Sequence, residues 1–109
     1  ALLLALSAPA WAETMRVLES SPSARSTMDG NRQEFFVRFD RPVDHGGSRL
    51  LVLRDGEVVR SLAPRLGASP ETLYAAAGSL PPGRYTLRWE ARSRRDGTVT
   101  TGALDFDLR

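Results

Sequence analysis

His45 is the one imidazole in the chain, and it stands between Asp44 and the pair Gly46-Gly47. A serine hydrolase needs such a ring to take the proton of an exposed nucleophile. No G-x-S-x-G elbow occurs, and a histidine beside two glycines reads as an exposed loop residue. Asp105 and Asp107 are two apart, which on a strand puts both on one face, in water, where acids mostly serve solubility. Gly46-Gly47 and Pro82-Gly83 precede no helical pattern, so neither reads as a phosphate cradle. There is no cysteine, hence no thiolate for a reaction or a metal. These residues offer no nucleophile with its base, and the chain reads as a protein without catalytic activity.

Three groups keep some chemical interest. Met15 and Met28 are the two thioethers, soft donors that suit Cu(I), but they fall on separate segments. Asp96 supplies a carboxylate from an Asp-Gly turn. Arg92, Arg94 and Arg95 form the one local basic cluster, read first as the soluble end of a hairpin and alternatively as an anion site. Elsewhere the fifteen basic residues, all arginine, are interspersed with thirteen acidic ones, for a net charge of +2. A nucleic-acid binder would gather its basic residues on one face with aromatics between them, so nucleic acid is not an expected partner.

The elements that must position these groups are strands. Tyr85, Leu87, Trp89 and Ala91 alternate with Arg84, Thr86, Arg88, Glu90 and Arg92, and a period of two buries one set while wetting the other. Asp96-Gly97 turns this strand into a second, where Leu104, Phe106 and Leu108 alternate with Asp105, Asp107 and Arg109. Leu80-Pro81-Pro82-Gly83-Arg84-Tyr85 has the form of a tyrosine corner, in which the phenol bonds back to the preceding backbone. Upstream, residues 16–20 form a short strand with Val17 and Leu18 as its apolar candidates, and the run to Arg32 reads as loop. Phe35, Val37 and Phe39 face inward from a strand closed by Pro42. Leu50 to Leu53 is continuously apolar, and Asp55-Gly56 makes a hairpin into Val58-Val59. Glu71 to Ala77 fits an edge strand and a helical turn equally. About seven short strands, turn signals every eight to twelve residues and no amphipathic helix predict an all-β, Ig-like Greek-key β-sandwich.

Residues 1–12 stand apart. Leu2 to Leu6 is apolar, and Ala10-Trp11-Ala12 is a small-x-small site just before the first charge, Glu13. That is the second half of a secretory signal peptide, cleaved after Ala12, and it predicts export to a periplasm. The run is too short to span a bilayer, so no membrane span is expected after cleavage. Residues 13–109 then form one domain, large enough for one modest core.

Several segments, in order, resemble the copper-resistance protein C (CopC) family. Leu18-Glu19-Ser20-Ser21-Pro22 is similar to its opening, and Phe39-Asp40-Arg41-Pro42-Val43 to its F-s-e-P-V segment. Leu80 to Trp89 is similar to L-x-P-G-x-Y-x-v-x-W, residues 93–98 to S-x-D-G-H, and Gly102 to Leu108 to the terminal G-x-L-x-F-x-L. The resemblance implies a CopC-like periplasmic β-sandwich that handles copper in resistance or homeostasis, often beside an inner-membrane copper-transport partner. It also implies a Cu(II) site made from an amino-terminal histidine and the Asp and His of D-G-H, with Asp96 as the matching carboxylate. Two positions depart from that pattern: the first histidine falls near Thr14, and the D-G-H histidine is Thr98. Donors still available are the Glu13 amine, Asp96 and His45. The same sandwich without metal binding, an Ig-like structural or interaction module of the cell envelope, is the alternative reading.

Overall fold

Asp55 and Gly56 adopt left-handed backbone, at φ 53° and 81°, and so give the type I′ geometry that closes a two-residue hairpin. This is one of the turns that fold the chain into strands throughout. The computed structural model describes residues 15–29, 34–65, 67 and 69–109, so the expected leader at 1–12 lies outside it. The described strands are β1 (Val17–Ser21), β2 (Ser26–Met28), β3 (Glu34–Phe39), β4 (Arg49–Arg54), β5 (Glu57–Leu62), β6 (Thr72–Ala76), β7 (Gly83–Arg92) and β8 (Val99–Leu108), with a 3-10 turn at His45–Gly47. One sheet has the order β1-β3-β6 and the other β2-β8-β7-β4-β5. The chain is an all-β, Ig-like Greek-key sandwich. Among the described residues it has one strand more than the seven the turn spacing predicts.

The core lies between the sheets. Phe35, Val37 and Phe39 of β3 and Leu73 and Ala75 of β6 face Leu50 and Val52 of β4, Tyr85, Leu87, Trp89 and Ala91 of β7, and Phe106 and Leu108 of β8. The period-two pattern of β7 is met residue for residue, with Leu87 and Ala91 fully buried. On β4, Leu50 and Val52 pair with Trp89 and Leu87 on the core face. Leu51 and Leu53 therefore lie on the outer face, which is why this strand reads as continuously apolar.

The structure corrects the sequence reading in three places and decides a fourth that the sequence left open. Val17 and Leu18 are exposed, at 38% and 50%, because a register irregularity between Val17 and Glu19 turns this edge strand, and Met15 takes the buried place instead. Ser26–Met28, read as loop, is a strand: it pairs parallel with β8, and three residues are too few to show a period. Asp44–Gly47, read as exposed loop, is a capped 3-10 turn, with Gly46 N–H donating to the Asp44 carboxylate and His45 half-buried. Residues 72–76 are strand β6, because pairing with β3 decides between two local patterns of equal merit.

The tyrosine corner is present. Tyr85 hydroxyl donates to the Pro81 carbonyl, Arg54 donates to the same hydroxyl at 3.3 Å, and the Arg54 guanidinium stands 5.3 Å from the ring centre. Gly83 makes this possible. A side chain there would begin 2.8 Å from the Arg54 guanidinium, on backbone at φ 154°. Tyr85→Phe keeps the ring and removes both bonds, so we expect a loss of about 1–1.5 kcal/mol in urea unfolding. An unchanged midpoint would show that the corner contributes nothing.

A candidate metal centre at the loop end of the sandwich

The ends of β3 and β7 are stitched into one platform. Val43 and Ser93 form an isolated bridge, Asp44 N–H donates to Arg92 O at 2.8 Å, and Arg94 N–H donates to Pro42 O at 3.1 Å. Ser48, almost fully buried, donates its hydroxyl to Asp44 O at 2.7 Å and accepts Arg92 N–H at 2.9 Å. One hydroxyl thus ties the backbone of the Asp44 turn to that of Arg92, and Asp44 O also accepts Gly47 N–H at 3.1 Å. The start of β6 closes a third side, through Val43 N–H to Pro70 O and Phe39 N–H to Glu71 O.

Asp96 sits on this platform, exposed, in the β7–β8 turn. Its carboxylate accepts Thr98 N–H at 3.0 Å, an Asx-type turn, while Gly97 at φ 75° lets the chain reverse. The Thr98 backbone bond, then the Thr98 hydroxyl, the Ser93 side chain and the positive Arg41 hold its carboxyl below the ordinary carboxylate range. Asp96 is ionised and available at neutral pH, but hydrogen bonds and a cation already serve it. His45 belongs to the same end. Its Nε2 lies 2.7 Å from Thr72 O, and because a carbonyl only accepts, Nε2 is the donor of this contact.

Asp40, just beyond β3, has competing influences. Desolvation pushes its carboxyl up, but the Arg16 N–H and the Arg41 guanidinium at 3.3 Å outweigh this and hold it below its usual value. The fold therefore brings the segments of Asp96, His45 and Asp40 together. Among the described residues, no three His, Cys, Asp or Glu side chains converge in a group that could hold a metal.

The thioethers are kept apart. Met15 is buried in the core, with its N–H donating to Thr100 Oγ1 at 3.0 Å, whereas Met28 pairs with Leu108. Thr100 and Leu108 are eight residues apart on one strand, about 27 Å, so no ion can touch both sulfurs. Within the arginine cluster, Arg92 Nη1 donates to Gly97 O at 3.0 Å and so closes its own turn. Sequence reasoning did not anticipate Ser48, Ser93 and Thr100, the buried hydroxyls that fix this end. For Thr100 a signal existed: it continues the inward series Gly102, Leu104, Phe106, Leu108, where a polar residue needs a partner. Ser48 gives no such sign, since Arg92 is brought to it by folding, whereas the Ser93 hydroxyl serves its own turn, accepting Arg95 N–H at 3.2 Å.

What emerges is a two-sheet β domain that carries its candidate ligands on loops at one end. The CopC domain model matches residues 17–109, and the chain belongs to that family. The chain is similar in structure to CopC from Methylosinus trichosporium OB3b, with a TM-score of 0.78 and 24% identity over 86% of this chain and 92% of that one. No curated protein matches the sequence. Membership in a copper-resistance protein family is thus established. No helix among the described residues is long and apolar enough to cross a membrane.

Proposed function

We propose that this is a periplasmic copper-handling protein of the CopC type, which binds and passes on copper as cargo without chemical turnover. The observation that carries the reading is the stitched platform that presents an ionised Asp96 beside the His45 turn, in a chain of this family. Export rests on the signal-like residues 1–12, and an inner-membrane copper-transport partner on the family alone. Cu(II) favours imidazole and oxygen in a tetragonal set, and the described donors do not complete one. The proposed site is accordingly weak and exchangeable, using Asp96, His45 and the amine of Glu13.

A second reading has its own support. Thr98 stands where the family pattern has histidine, and Arg41 lies close enough to Asp96 to disfavour a second cation. On that reading the platform serves only to dock a protein of the envelope.

Titration with Cu(II) separates the two. Binding should produce a visible d–d band, and at about 100 times the dissociation constant it should add about 2.7 kcal/mol of stability. Asp96→Ala should weaken both signals. Because the Asp96 carboxyl is depressed, its contribution is present above the ordinary carboxylate range and is lost only as pH falls through the lowered value. The Asp96-dependent part of binding should therefore persist from about pH 7 to 5. Absence of band and shift at large excess would leave the docking module.

A further inference from the structure

Strand β5 is the outer strand of the five-stranded sheet, and among the described residues no strand lies beyond it. Five of its six residues are exposed, with Val58 at 53% and Val59 at 37%. A free edge with apolar side chains presents backbone donors and acceptors to any strand that can align with it. The sequence along this edge is Glu57-Val58-Val59-Arg60, and its order of charges is self-complementary. An antiparallel two-fold centred between Val58 and Val59 sets each Glu57 opposite Arg60 of the other copy, and each Val58 opposite Val59.

The faces agree with that register. Glu57 pairs across the hairpin with Arg54 and Arg60 with Val52, so both lie on the core-side face, while Val58 pairs with Leu53 on the outer face. The irregularity between Val52 and Leu53 makes Val59 the extra residue of the strand, and so places it at the proposed axis. Glu57 has no basic partner among the described residues. Arg60 is already held at the edge. Its Nη1 donates to Val59 O at 2.9 Å and its Nη2 to Ser79 O at 3.0 Å, which leaves other donors of the five free for a carboxylate.

We propose that two copies of this chain associate through β5, joining their five-stranded sheets edge to edge with Glu57–Arg60 pairs on one face and a valine cluster on the other. This surface is distinct from the loop platform, so it is independent of whether copper is bound there.

Sedimentation equilibrium on the purified protein tests it. The expected result is a monomer–dimer equilibrium that strengthens with concentration. Glu57→Arg alone and Arg60→Glu alone each set like charges opposite one another twice, and each should weaken association at least about tenfold. The double exchange Glu57→Arg with Arg60→Glu should restore it, an outcome that only this register produces. Val58→Lys, at an exposed position, should give monomer, with a melting curve that matches the native chain's at concentrations low enough for both to be monomeric. A protein that remains monomeric into the millimolar range overturns the proposal. So does a dimer indifferent to the single charge reversals, or one that the double exchange fails to restore.

Discussion

Phe106→Ala is expected to remove about 3–5 kcal/mol of stability. Phe106 is 1% exposed and is the point where the sheets meet. Its ring meets Phe35 of the opposite sheet edge-on, with centroids 5.6 Å apart at 80°, and stacks beside Tyr85 of its own sheet at 5.8 Å and 25°. Truncation removes the burial of the ring and both aromatic contacts, and it leaves a cavity between two sheets that cannot close up without shifting their strands. A domain of this kind has a net stability of about 5–15 kcal/mol, so the variant stands near or past the edge of folding at body temperature. Urea unfolding monitored by Trp89 fluorescence measures it. A loss below about 1 kcal/mol would show that Phe106 does not join the two layers.

The second large effect lies at Gly102. This residue faces Trp89 directly across the β7–β8 ladder, and the indole lies over it. A Cβ built there would stand 2.4 Å from Cζ2, 2.6 Å from Cε2 and 2.7 Å from Nε1 of the ring. Such distances are not sustained by real Cβ atoms, so Gly102→Ala must displace the indole or bend the ladder, at about 1–3 kcal/mol. The reason is contact and not backbone strain. The cost should therefore depend on the size of the neighbour, and in a Trp89→Leu background the same substitution should cost less. A double-mutant cycle with a coupling of about 0.5–3 kcal/mol is the expected result. An unchanged cost in both backgrounds would mean that the ring does not cover Gly102.

These two sites show how far the sequence reaches. Inward placement of Phe106 was legible because Leu104, Phe106 and Leu108 alternate with charged residues, and a period of two needs only local information. Its partner Phe35 was not legible as such, since it comes from a strand far away in the chain, and Tyr85, on the neighbouring strand of the hairpin, is identified only once the register Tyr85 to Phe106 is set. Gly102 appears in the sequence as part of a terminal pattern, but the indole that excludes a side chain there becomes visible only once the register Trp89 to Gly102 is set.

The sequence by itself determined the all-strand class, the tyrosine corner, the Asp-Gly turns, the family resemblance and the presence of Thr98 where that resemblance implies a histidine. Each of these is written in residue types at short spacing. Only the tertiary structure decided that Val17 and Leu18 are exposed, that residues 26–28 pair with the last strand and that residues 72–76 extend a sheet. It also decided how the candidate site is arranged: the Ser48 hydroxyl and the Val43–Ser93 backbone bridge join two distant loops, Arg41 approaches Asp96, and Thr100 holds Met15 in the core, far from Met28. These outcomes depend on hydrogen bonds and packing between segments up to 85 residues apart. No local pattern encodes such pairings, because a strand's own alternation specifies which face it buries but not what it meets there.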